Sequence, residues 1–158
     1  MKRPSTIFLQ IFIVFIGIGT IIWMLWEPHI EGRNAHATLF EIYFKDPFLL
    51  YAYFASIAFF LVLYQTFRLL GYIRLDKAFT PQSVNATRII KFSALSLVAF
   101  VLPAVAYLFI TRPGDDIAGG IAMGLFIIFF SVITACAADI FEGLFQSVAD
   151  TKPENNRV

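Results

Sequence analysis

The chain has 158 residues, of which 59 % are hydrophobic and only 15 % charged, with a formal net charge of +1. A soluble domain usually carries about 25 % charged residues, and a balance so close to neutral gives no reason to expect a nucleic-acid partner. A single cysteine, Cys136, excludes an intramolecular disulfide and a cysteine-based zinc cluster.

Four apolar stretches dominate the sequence: Ile7–Trp26, Phe48–Phe67, Ile89–Ile110 and Ile117–Ala138. A hydrocarbon core of about 30 Å is crossed by roughly 20 helical residues. No water in that core can satisfy backbone N–H and C=O groups, so each stretch is expected to be helical. The first follows Lys2 and Arg3, and Ala35-His36-Ala37 downstream resembles a cleavage site. Signal-peptide cores usually run about 7–15 residues. This stretch is longer and is separated from Ala35 by Glu27 and Glu31, so it reads as a retained span.

The segment Glu27–Asp46 mixes acids and histidines with Leu39-Phe40 and Ile42-Tyr43-Phe44, a run suited to the lipid interface, as are Trp23 and Trp26. Glu27, His29, Glu31, His36 and Glu41 match no spaced metal-binding motif, so this reads as a solvated loop. Asp46-Pro47 opens the second span with a capping residue and a proline at the first helical position. Thr80-Pro81 repeats that syntax ahead of the third span, whose first turns carry Gln82, Asn85, Arg88 and Lys91. Pro103 removes one backbone hydrogen bond from the third span, frees the carbonyl of Ala99 and favours a kink. Pro113-Gly114-Asp115-Asp116 reads as a tight turn before the fourth span. There Gly120 and Gly124 form a GxxxG pattern, continued at four-residue spacing by Ser131 and Ala135, which marks a helix-packing face. Residues 151–158 read as a flexible polar tail after a single membrane domain, 1–150.

Basic residues set the orientation. Nine of them (Lys2, Arg3, Arg68, Arg74, Lys77, Arg88, Lys91, Lys152 and Arg157) fall on one side of a four-span topology, and Arg33, Lys45 and Arg112 on the other. Lys and Arg in short loops stay in the cytoplasm, which places both termini there. No charge lies at the middle of any span. Lys91 sits near the cytoplasmic end of the third span, Asp139 and Glu142 at that of the fourth. Either these side chains reach water, or Lys91 or Arg88 pairs with Asp139 across adjacent antiparallel helices.

Tyr72-Ile73-Arg74-Leu75-Asp76-Lys77-Ala78-Phe79-Thr80, then Ser83-Val84, Arg88-Ile89-Ile90-Lys91 and the tail Lys152–Val158 carry a likeness. They resemble the short bacterial form of the DUF2975 membrane proteins, with a K-A-F-[ST] segment before the third of four spans. The tail departs from that pattern at Asn156-Arg157, where an acid is lost. The resemblance implies a multi-pass protein of the bacterial plasma membrane and assigns no catalytic residue.

The expected fold is all-α, four transmembrane helices in an antiparallel bundle. The expected role is non-enzymatic: an accessory or regulatory subunit whose cytoplasmic surface comprises Arg68, Arg74, Lys77, Arg88, Lys91, Asp139 and Glu142. The alternative is a small transporter or channel subunit working as an oligomer. No cofactor or metal is expected. The partners expected are the lipid bilayer, another membrane or cytoplasmic regulatory protein, and further copies of the chain.

Overall fold

The computed structural model describes residues 4–30, 36–45, 47–111 and 117–151. Lys2, Arg3, Arg33, Asp46, the turn at Pro113–Asp116 and the tail from Lys152 lie outside the described residues, as do the roles expected of them. Four long helices follow one another: α1 (Pro4–Ile30), α2 (Pro47–Arg74), α3 (Pro81–Thr111) and α4 (Ala118–Thr151). All four are long and apolar enough to cross a membrane. Each extends beyond its apolar stretch. At 34 residues, α4 is roughly 50 Å long, against a hydrocarbon core of about 30 Å, so it projects from that core.

Two boundaries differ from the sequence reading. Glu27, Pro28 and His29 belong to the end of α1, not to a loop. The apolar run beyond it is helical too, a short π turn at Glu41–Lys45. Its start is fixed by a reciprocal cap: Thr38 N–H and Oγ1 both donate to Glu41 Oε2 at 3.1 Å, while Glu41 N–H reaches back to Thr38 Oγ1 at 3.4 Å. Ile42 is buried by this turn.

The helices pack side by side, each chiefly against its neighbours in sequence. Paired contacts show α1 and α2 running antiparallel: Gln10 reaches Phe67 at one end, and Tyr53 reaches Met24 at the other. The α3–α4 pair is antiparallel by the same test, with Lys91 beside Asp139 and Gly120 beside Leu108. Contact is most extensive between α3 and α4, less between α2 and α3, and least between α1 and α2. Small side chains explain the tight pair. Ala86 and Ala94 of α3, and Gly124, Ser131, Ala135 and Ala138 of α4, are all buried. Small residues let helix backbones approach, which is how helices associate where lipid is as apolar as leucine. A Cβ placed on Gly124 would collide with Val105 Cγ2, and one on Gly120 would come within 3.2 Å of Leu108 Cδ1. The GxxxG face therefore meets α3 of the same chain. Ile127, three residues on from Gly124, is half-buried.

Prolines lie inside two helices, and α2 places a tyrosine hydroxyl near each. Pro28 has no N–H to offer the carbonyl of Met24, and Tyr53 of α2 donates its hydroxyl to that oxygen at 2.9 Å. Pro103 frees the carbonyl of Ala99. Tyr51 of α2 donates to the adjoining carbonyl, Phe100, at 2.8 Å. At Met24 a neighbouring side chain thus supplies the donor that water would supply outside a membrane. Residues two apart on a helix point to well-separated faces, so Tyr51 and Tyr53 reach α3 and α1 respectively.

Candidate functional site

The end of the molecule where α2 stops and α3 starts gathers the sequence-selected charges. The connection is short and tightly bonded. Asp76 takes a left-handed conformation (φ 57°), which a short polar side chain tolerates better than most. Lys77 N–H donates to Tyr72 O at 2.8 Å, and Lys77 O accepts from both Thr80 Oγ1 and Ser83 Oγ at 2.9 Å. The Thr80 hydroxyl thus donates back into the turn, while the Thr80 carbonyl accepts from the N–H groups of Ser83 and Val84 as α3 begins. Phe79 packs edge-on against Phe145 of α4, with ring centroids 5.7 Å apart. The K-A-F-T segment is therefore a rigid clasp: two hydroxyls hold Lys77 O and one ring docks on α4. Leu75 and Phe79 remain 60 % and 44 % exposed.

Two to three turns into α3, four charges lock that helix to α4. Arg88 Nε donates to Glu142 Oε1 at 2.7 Å, and Lys91 Nζ donates to Glu142 Oε2 at 2.6 Å and to Asp139 Oδ1 at 3.0 Å. Glu142 is the centre, with both oxygens engaged and its side chain only 10 % exposed, whereas Asp139 is 68 % exposed. The expected Lys91–Asp139 neighbours do meet, but the buried carboxylate that both cations share is Glu142. A carboxylate held between two cations is a structural clamp, and it neutralises charge on both.

The remaining sequence-selected cations stand apart from this clamp. Arg68 donates through Nη2 to Tyr72 Oη at 2.6 Å and lies 5.7 Å from the ring centroids of both Tyr64 and Tyr72. Arg74 is half-buried at the end of α2 and Lys77 is exposed on the turn. None of the three forms an ion pair with a described residue. Pro103, in the last third of α3, and Gly120 and Gly124, in the first two turns of α4, lie away from the clamp and belong to helix packing.

Two polar residues within the apolar stretches escaped the sequence reading, which weighed charges and passed over amides. Gln10 of α1 is buried and donates to Phe67 O at 3.1 Å. Gln65 of α2 is 6 % exposed, and its Oε1 is buried without a hydrogen-bond partner. A glutamine within an apolar stretch was itself the signal. At the far end, Tyr43 Oη donates to Leu25 O at 2.9 Å and lies 3.4 Å from His29 Nδ1. No group of three or more His, Cys, Asp or Glu side chains among the described residues is placed to hold a metal ion.

Residues 33–158 match the family model described as "Protein of unknown function (DUF2975)". The chain belongs to the DUF2975 family. This DUF2975 protein is also 35 % identical, over 157 residues, to the uncharacterized membrane protein YoaS of Bacillus subtilis (strain 168), a match covering 99 % of this chain and 98 % of that one. No solved structure matches. The family match takes in α2, α3, α4, the clasp and the Glu142 clamp, while α1 precedes it. The likeness to YoaS extends over α1 as well. The DUF2975 chain is thus a multi-span membrane protein, and its family carries no assigned activity.

Proposed function

We propose that this protein is a non-enzymatic accessory or regulatory subunit of the bacterial plasma membrane, with both termini cytoplasmic, acting through partners at its basic end. The observation that carries this reading is the division of labour among the cations. Glu142 and Asp139 occupy Arg88 and Lys91, whereas Arg74 and Lys77 sit beside exposed Leu75 and Phe79 on a braced turn. Cations next to exposed apolar groups on a rigid loop suit a docking surface at a membrane boundary. Attraction of a juxtamembrane Lys or Arg to an anionic leaflet is worth about 1 kcal/mol.

The test replaces Arg74 and Lys77 by Gln while leaving Arg88 in place. Insertion and thermal stability should be unchanged, and recovery of chemically crosslinked neighbours from native membranes should fall, most clearly at low salt. Unchanged recovery at low salt would remove this surface. Orientation is checked in a Cys136→Ser background by labelling a cysteine placed at Ala78; modification from the periplasmic side would reverse the topology.

One observation favours the alternative of a transporter or channel subunit working as an oligomer: the partnerless carbonyl oxygen of Gln65, a polar group within the helices. Gln65→Leu should abolish transport on that reading and leave partner recovery intact on the first.

A further inference from the structure

Arg68 stands on α2 at the top of a stripe that ends polar and begins apolar. Ile57, Leu61, Tyr64, Arg68 and Tyr72 follow spacings of four, three, four and four residues, which places them on one helix face. Ile57, Leu61 and Tyr64 are 55 %, 42 % and 57 % exposed, and Arg68 is exposed too. The stripe is therefore open along its length, with an apolar lower part inside the span and a cationic head where the apolar stretch ends.

The chemistry at that head is one-sided. A guanidinium carries five N–H donors and no acceptor. One of them is spent on Tyr72 Oη. By accepting there, the Tyr72 hydroxyl keeps its own proton to donate, and no described residue receives it. No carboxylate of a described residue pairs with Arg68. The two flanking rings, each 5.7 Å from the guanidinium carbon, hold it in place. Convergent donors without an acceptor form an anion site, and the planar guanidinium fork matches phosphate geometry. The exposed apolar stripe directly below selects the anion. A phosphate carried on a soluble protein has nothing to lay along Ile57 and Leu61, whereas a phospholipid has an acyl chain.

We propose that the Ile57–Tyr72 stripe of α2 binds one anionic phospholipid, its phosphate on Arg68 and the Tyr72 hydroxyl and an acyl chain along Tyr64, Leu61 and Ile57. This deepens the reading of the basic end as a lipid- and partner-facing surface, and rests on it. Within that surface Arg68 is the lipid-binding residue, distinct from Arg74 and Lys77 on the turn.

The test is native mass spectrometry of the full chain, released from detergent, with dioleoylphosphatidylglycerol or dioleoylphosphatidylcholine as the probe. Wild type should retain one phosphatidylglycerol and bind it more tightly than phosphatidylcholine. Arg68→Gln should weaken phosphatidylglycerol binding about fivefold or more, and Tyr72→Phe should weaken it less. Arg88→Gln, whose cation serves Glu142, should leave it unchanged. Excess inorganic phosphate should not displace the lipid. Equal binding of phosphatidylglycerol by wild type and by both Arg68→Gln and Tyr72→Phe would overturn the site, as would displacement by inorganic phosphate. Equal affinity for the two lipids would overturn its anionic character. Intact lipid binding by Arg68→Gln together with lost crosslinks in the Arg74/Lys77 variant fails this site alone. The reverse pattern fails the wider surface alone.

Discussion

The α3–α4 pair and the α1–α2 pair solve the same problem with different chemistry. Between α3 and α4, backbones close on small residues, and one buried carboxylate ties two cations across the interface. Between α1 and α2, single hydrogen bonds run from side chains to backbone carbonyls: Gln10 to Phe67 and Tyr53 to Met24. Gly17, the α1 glycine nearest α2, meets Leu63 Cδ1 only at 3.7 Å, an ordinary contact. Apolar burial distinguishes helix from helix poorly in lipid, so association rests on close packing and on polar links. The first pair uses both devices and the second mainly the latter. A hierarchy follows, in which α3–α4 is the rigid half and α1 the more easily detached helix.

That hierarchy is open to substitution. Gly124→Leu attacks the closest approach and should cost about 3 kcal/mol or more, because Val105 blocks the first added carbon. Ala122→Leu on the exposed side of α4 should be near neutral, and thermal unfolding in detergent compares the two. Equal effects would mean that the two faces of α4 are equivalent. Glu142→Gln comes next, at about 1–2 kcal/mol, because Lys91 keeps Asp139 and half-exposed Arg88 turns to water. Its loss should grow less at high salt, and a salt-independent loss would mean that packing, not charge, is at stake. Tyr53→Phe should cost about 1 kcal/mol by leaving Met24 O without its donor, and should raise amide exchange in α1 before α3 and α4. Uniform exchange across all four helices would abolish the distinction between the halves. Gln65→Leu should have the smallest effect and a favourable sign, since it removes a buried carbonyl that has no partner.

Much of this architecture was legible in residue type alone. The spans follow from apolar length, and Gly120 and Gly124 point to a packing face because only missing side chains permit that approach. The Lys91–Asp139 neighbourhood follows from antiparallel helices joined by a short turn. Glu142 at the centre of the clamp was not legible, because which of two carboxylates three residues apart turns inward depends on the rotation of α4, which packing sets. The π turn left a trace, Thr38-x-x-Glu41, that an apolar-run reading overlooks. The tyrosine donors could not be found before the helices were paired, since Pro28 announces the freed carbonyl of Met24 but not which helix supplies the hydroxyl.

The Arg88–Glu142 contact spans 54 residues of sequence. During synthesis, α3 therefore emerges with Arg88 and Lys91 while the carboxylate that neutralises them has yet to be polymerised. At about 5–20 residues per second the gap lasts roughly 3–10 seconds. For that interval the two cations lack their shared carboxylate, and the clamp can close only when Glu142 arrives with the end of α4. The hairpin α3–α4 is thus completed by its last turns, and a nascent chain stalled before Ala138 should leave α3 sensitive to extraction that the finished pair resists.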